Sequence, residues 1–119
     1  MEFRENKAIY LQIAEFVCER ILLKDWAIGE KIPSVRELAV QLEVNPNTVM
    51  RTVDFLQQKD IIFTKRGMGY FVSDNAEEKV KSMKKEDFLV NDLPQFFKNI
   101  QLLDIDFDEL KARYAVYKG

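Results

Sequence analysis

The chain has 119 residues, 47% hydrophobic and 32% charged, with a net charge of −2, which suits one domain, or a small domain with an appendage, of ordinary soluble composition. It contains no histidine, one cysteine and only four glycines, so the commonest general base, the usual zinc ligand sets and phosphate-cradling glycine runs are all missing. The residues therefore argue against an enzyme and call for neither metal nor cofactor.

No apolar run approaches the roughly 20 residues that cross a bilayer, so no membrane partner is expected. The start, Met1-Glu2-Phe3-Arg4-Glu5, carries acid and lacks the apolar core of a secretory signal. A lone Cys18 beside Val17 reads as a small buried hydrophobe in a reducing compartment. These features together point to the cytoplasm.

Residues 8–24 form the first predicted helix, because Ile9, Ile13, Phe16, Val17 and Ile21 recur at helical spacing with polar residues between them. Gly29 and Pro33 break the pattern, which places a turn at roughly 25–33. Ser34 and Glu37 then have capping-box spacing, and a short helix with Leu38 and Leu42 inward should run through Leu42. Asn45-Pro46 opens a third helix, with Asn as the cap and Pro at the first helical position. It reaches about Lys59, and Val49, Val53 and Leu56 make its buried stripe. Two short helices joined by a few residues, the second starting on small polar side chains, make a helix-turn-helix.

Ile61–Thr64 and Tyr70–Val72 are strand-prone and flank Lys65-Arg66-Gly67-Met68-Gly69, so they predict a β-hairpin wing with two cations at its tip. Residues 74–87 are dominated by Lys, Glu and Asp and read as a solvated helix or linker. Beyond them Leu89, Leu93, Phe96, Phe97, Ile100 and Leu103 share one helical face, which Pro94 should kink or restart. Asp106 caps a last helix with Leu110, Tyr114 and Tyr117 on one side. The expected architecture is α+β and mostly α. A winged helix-turn-helix over 1–75, of three helices and a hairpin, is followed by a short helical dimerisation or effector region over 76–119.

The chain is acidic overall, with a sequence pI near 5.3, so bulk charge does not favour nucleic acid. Lys31 to Tyr70 holds six basic residues against four acidic ones, a modest local excess, and placement has to carry the case. The second helix of such a pair enters the major groove with its first turn leading. Asn47, Thr48 and Arg51 share the face opposite Val49 and Val53 and suit base edges or phosphates, Asn with adenine and Arg with guanine. Asn45 reads first as a cap, with a phosphate contact open to it. Met50 either touches a thymine methyl or makes no contact. Lys65 and Arg66 are minor-groove and phosphate contacts or edge-protecting cations, and Gly67 and Gly69 permit positive φ and close approach to the backbone. Lys31, Glu30 and Lys59 read as solvated surface.

Four stretches carry a family resemblance: Ile9-Tyr10-Leu11-Gln12-Ile13-Ala14, Gly29 through Ala39 with Pro33-Ser34-Val35-Arg36-Glu37-Leu38, Val44-Asn45-Pro46-Asn47-Thr48-Val49, and Arg66-Gly67-Met68-Gly69-Tyr70-Phe71-Val72. In that order they resemble the DNA-binding domain of the GntR family of bacterial transcription regulators. Asn45-Pro46-Asn47-Thr48-Val49 with a short C-terminal region resembles its YtrA-like subfamily, whose members are small dimers. The resemblance implies that Arg36 contacts phosphate or guanine, with pairing to Glu37 or Glu43 as the bland alternative, and Ser34 at the same helix start joins the candidate contacts. Met50 and Pro46 stand where relatives often carry a basic residue.

The tail's aromatic stripe is too large for so small a piece to bury alone, and two-fold pairing suits a palindromic site. Leu89, Leu93, Phe96, Phe97, Ile100, Leu103, Leu110, Tyr114 and Tyr117 are the candidate dimer interface. The reading is thus a homodimeric repressor on a double-stranded, inverted-repeat operator, and no constellation names an effector ligand. The alternative is a winged-helix protein-interaction module, against which the polar face of the third helix and the wing cations count.

Overall fold

The structure is a computed structural model that describes Phe3 and residues 6–119; the rest of the acid-bearing start Met1–Glu5 lies outside the described residues. Among these residues the order is α1 (Ile9–Leu22), α2 (Val35–Leu42), α3 (Pro46–Gln58), β1 (Ile62–Lys65), β2 (Gly69–Val72), α4 (Ala76–Asp87), a π-helical turn (Phe88–Asp92), α5 (Leu93–Leu102) and α6 (Phe107–Lys118). The chain forms two compact units, one up to Ser82 and the other Met83–Gly119. The boundary between these units lies inside α4, after Ser82.

In the first unit α3 packs on both α1 and α2, and β1 packs on α3. The core joins Ile13, Val17, Cys18 and Ile21 of α1, Leu38 and Leu42 of α2, and Val49, Val53 and Leu56 of α3, with Ile61, Ile62 and Val72 from around the hairpin. Each large side chain taken out of water there contributes about 1.5–3 kcal/mol. Two polar residues share this interior. Gln12 Nε2 donates to the Lys7 carbonyl at 2.8 Å. Thr52 Oγ1 donates to the Tyr10 carbonyl at 2.7 Å and to its own helix at Thr48 O, 3.2 Å. Satisfied in this way, neither side chain incurs the cost of an unpaired buried group. Ile9, expected in the stripe of α1, is instead 45% exposed; it is the first residue of the helix, and the buried positions begin at Gln12.

Local chemistry sets the helix starts. Ser34 Oγ accepts from Glu37 N at 3.1 Å while Glu37 accepts from Ser34 N at 3.0 Å, a complete capping box. Asn45 Oδ1 accepts from Asn47 N at 2.8 Å, with Pro46 at the first helical position. Glu43 closes α2 in the left-handed region at φ 57°, which folds the chain back within three residues.

The hairpin is antiparallel, with Phe63 opposite Phe71 and Lys65 opposite Gly69. Its turn bonds Met68 N to Lys65 O at 2.9 Å with Gly67 at φ 75°, a third turn position that glycine fills without strain. The stretch before α2, expected to be a plain turn, also pairs with β2. Gly29 N donates to Val72 O at 2.9 Å, Val72 N to Glu30 O at 3.0 Å and Ile32 N to Tyr70 O at 3.0 Å, so the wing is anchored from both sides. The charged run is helical from Ala76 to Asp87, and Ala76 and Val80 within it are fully buried.

In the second unit the chain stays helical from α4 through Phe88–Asp92, where Leu93 N bonds back to Phe88 O in the wider π pattern. Pro94 is the second residue of α5. Its ring cannot tolerate an α-helical carbonyl four residues back, and the widened turn just before it relieves that conflict. The π turn also shifts the helical phase between Leu89 and the α5 positions that follow by about one residue, roughly 100°. Ile100 is buried at 9% exposure, while Phe96, Phe97, Leu102, Leu103, Phe107, Tyr114, Val116 and Tyr117 are exposed. Asp106 caps α6 by accepting from Asp108 N at 3.1 Å.

Candidate nucleic-acid interface

The exposed side of α3 begins with the cap. Asn45 Oδ1 is occupied by Asn47 N, which leaves the amide nitrogen of this exposed residue as a donor outside the cap. No acid lies in the first turn of α3, so the positive end of the helix dipole is not offset there. Asn47, Thr48 and Arg51 line one shallow groove together with Ala8, Ile9 and Tyr10 of the α1 start. Arg51 is exposed, yet its guanidinium lies over the Tyr10 ring, 4.2 Å from the centroid. Met50, on the next face, receives the Tyr70 hydroxyl at 3.9 Å from Sδ, a weak contact between α3 and β2. Gln57 and Thr64 hydrogen-bond to each other and add a second tie between α3 and the hairpin.

The start of α2 presents Arg36 to solvent. Neither alternative pairing, to Glu37 or Glu43, forms. Among the described residues no ion pair involves Arg36, Arg51, Lys65 or Arg66; the pairs present use Lys7, Arg20, Lys24 and Arg113. Glu37 is held below the usual carboxylate range, first by the Ser34 backbone N–H, then by the Ser34 side chain, with a smaller pull from Lys31.

The two wing cations are not equivalent. Lys65 Nζ sits 4.6 Å from the Phe71 ring centroid and 5.9 Å from that of Phe63, over a stacked aromatic pair. Arg66 stands exposed in the turn. Gly69 has φ 114°, and a Cβ there would come 2.9 Å from Lys31 Cε, so the stem of the exposed Lys31 passes close over the strand at Gly69. Ser34, Arg36, Asn45, Asn47, Thr48, Met50 and Arg51 therefore lie at the starts of the two helix-turn-helix helices or on the open face of α3. Lys65, Arg66, Gly67 and Gly69 belong to the wing. Tyr10 and Lys31 are the neighbours that sequence reasoning missed. Tyr10 stands beside the buried stripe of α1 instead of in it, which was the one available signal.

Three helices, a backed hairpin and an exposed face of amides, hydroxyls and unpaired cations define a winged helix-turn-helix DNA-binding domain. A model of the bacterial regulatory proteins of the gntR family matches residues 9–72, more than half of the chain, and the chain belongs to that family. It is 45% identical over 76 residues to the HTH-type transcriptional regulator YhcF of Bacillus subtilis (strain 168), covering 64% of this chain and 63% of YhcF. It is 42% identical over 74 residues to the transcriptional repressor YtrA of the same organism, covering 62% of this chain and 57% of YtrA. The chain thus spans less than two thirds of these curated relatives. A GntR-family regulator structure from Bacteroides thetaiotaomicron superposes with a TM-score of 0.81 at 42% identity, over 92% of this chain and 96% of that one. The AraR DNA-binding domain in complex with an operator superposes at 0.55 and 26% identity, over 61% of this chain and 86% of that one. These relatives are transcriptional regulators and not enzymes. Among the described residues no helix is long and apolar enough to cross a membrane.

Proposed function

We propose that this regulator binds an inverted-repeat operator in double-stranded DNA as a homodimer and represses transcription in the cytoplasm. The observation that carries the reading is the open face of α3, where Asn47, Thr48 and an Arg51 without a carboxylate partner surround one groove. In this reading α3 enters the major groove, where Asn47 and Arg51 meet base edges and Met50 offers an apolar surface to a thymine methyl. Ser34, Arg36 and Asn45, at two helix starts, take phosphates. Arg66 reaches the sugar-phosphate chain from the wing tip, Gly67 and Gly69 let the backbone approach, and Lys65 contributes charge from above its aromatic pair. The operator complex of the AraR domain and the likeness to the transcriptional repressor YtrA support this assignment.

Dimerisation is assigned to Met83–Gly119, which leaves Leu89, Phe96, Phe97, Leu103, Tyr114 and Tyr117 exposed, with Leu93 and Leu110 half-buried. So many large apolar side chains left exposed in so small a unit favour an association site there. Ile100, already buried, supports the face from beneath. Binding should weaken steeply with salt as phosphates release their counterions. On a duplex selected from a random pool, Arg51→Ala should cost about 1–3 kcal/mol. Parental affinity in both Arg51→Ala and Asn47→Ala would remove α3 as the reading helix.

A further inference from the structure

We propose that Tyr10 is a positioning residue for DNA reading, holding the Arg51 guanidinium in place from outside the helix-turn-helix pair. The inference rests on the reading of Arg51 as a base contact. Tyr10 lies in the first turn of α1, and three neighbours from α3 fix it. Its carbonyl accepts from Thr52 Oγ1 at 2.7 Å, and Thr52 is itself buried. Its ring meets Phe55 edge-on, with centroids 6.2 Å apart and planes at 76°. The face of that ring carries the Arg51 guanidinium at 4.2 Å.

A long side chain on an exposed helix face samples many rotamers, and binding must select one of them. Arg51 has no acidic partner among the described residues, so the aromatic face is what restrains it. A guanidinium stacks flat on such a face and keeps its N–H edge free to point outward. The ring is in turn held by a backbone hydrogen bond and an edge contact, both to α3, so ring and guanidinium keep a common frame. Tyr10 and Arg51 also line the same groove as Asn47 and Thr48, which places the ring beside the reading face.

The test measures affinity and base preference of the full chain on a duplex selected from a random pool. Tyr10→Leu should weaken binding roughly two- to fivefold, the range that an exposed cation–π contact supports. Its base preference should relax at the same base pair as that of Arg51→Ala. Tyr10→Phe, which keeps the ring face, should behave as the parent. In an Arg51→Ala background, Tyr10→Leu should add no further loss, and this cycle cancels any general effect on folding. An equal loss in both backgrounds, or a Tyr10→Phe variant as weak as Tyr10→Leu, would overturn the proposal. If Arg51→Ala weakens binding and Tyr10→Leu does not, only the positioning role falls. If Arg51→Ala binds like the parent, the base-contact reading falls and takes this inference with it.

Discussion

The two units solve the burial problem in opposite ways. Up to Ser82, three helices and a hairpin enclose their aliphatic side chains, and even Gln12 and Thr52 are buried with backbone partners. In Met83–Gly119 the apolar residues are as large, but Val116 is 82% and Tyr117 87% exposed, and no residue of α6 is buried. A helix pair of this size has too little interior for its own side chains. The first unit therefore buries its core within one chain, whereas the second leaves most of its large apolar side chains exposed, the surface on which the proposed function seats a second copy.

That contrast can be broken most forcefully in the first unit. Leu56→Ala, at a fully buried position, should cost about 2–5 kcal/mol in denaturant unfolding; a loss under about 1 kcal/mol would mean that the α3 core is looser than described. In the second unit, Tyr114→Asp with Tyr117→Asp should convert a sedimenting dimer to monomer, a loss of about 2–4 kcal/mol in association, while the helical signal stays. A dimer that survives the pair of charges would place the interface elsewhere. Next comes Thr52→Ala, which leaves the Tyr10 carbonyl short of its donor and should cost about 1–3 kcal/mol of unfolding free energy. The smallest effect is that of the α2 cap: Ser34→Ala should cost about 1 kcal/mol.

The cap also has a pH signature. Because Glu37 titrates lower in the folded chain than in the unfolded one, its contribution is complete above the ordinary carboxylate range. It is lost as pH falls through the folded value. Glu37→Gln should flatten that acid limb of the stability curve, and an unchanged limb would mean that other carboxylates set it.

Much of the first unit was legible in the residues, because period and punctuation agreed. Ser34 with Glu37, Asn45 with Pro46, and the stripe Val49, Val53 and Leu56 each named an element and its inward face. What stayed hidden depended on contacts between segments. Gly29–Ile32 pairs with β2 through backbone groups alone, and four residues before a proline show no alternation. Ala76 and Val80 are buried inside a charged run, where two small apolar residues carry almost no periodic signal. Pro94 announced a disturbance, but the π turn is how the surrounding chain absorbs it, and a change of helical phase has no signature in the residues. The helix-start polar residues of the candidate interface were legible from capping logic. Tyr10 was not, since its place beside the buried stripe sets it apart on α1 but does not say that Arg51, far along the chain, will lie on it.

The central claim is that one unit reads DNA while the other couples two copies, and recovering the duplexes that the full chain binds from a random pool tests both halves together. The account predicts a shared site made of two half-sites in inverted repeat, mirroring the two-fold axis of a dimer. A pool that converges on a single unrepeated half-site, or on no sequence at all, would contradict it.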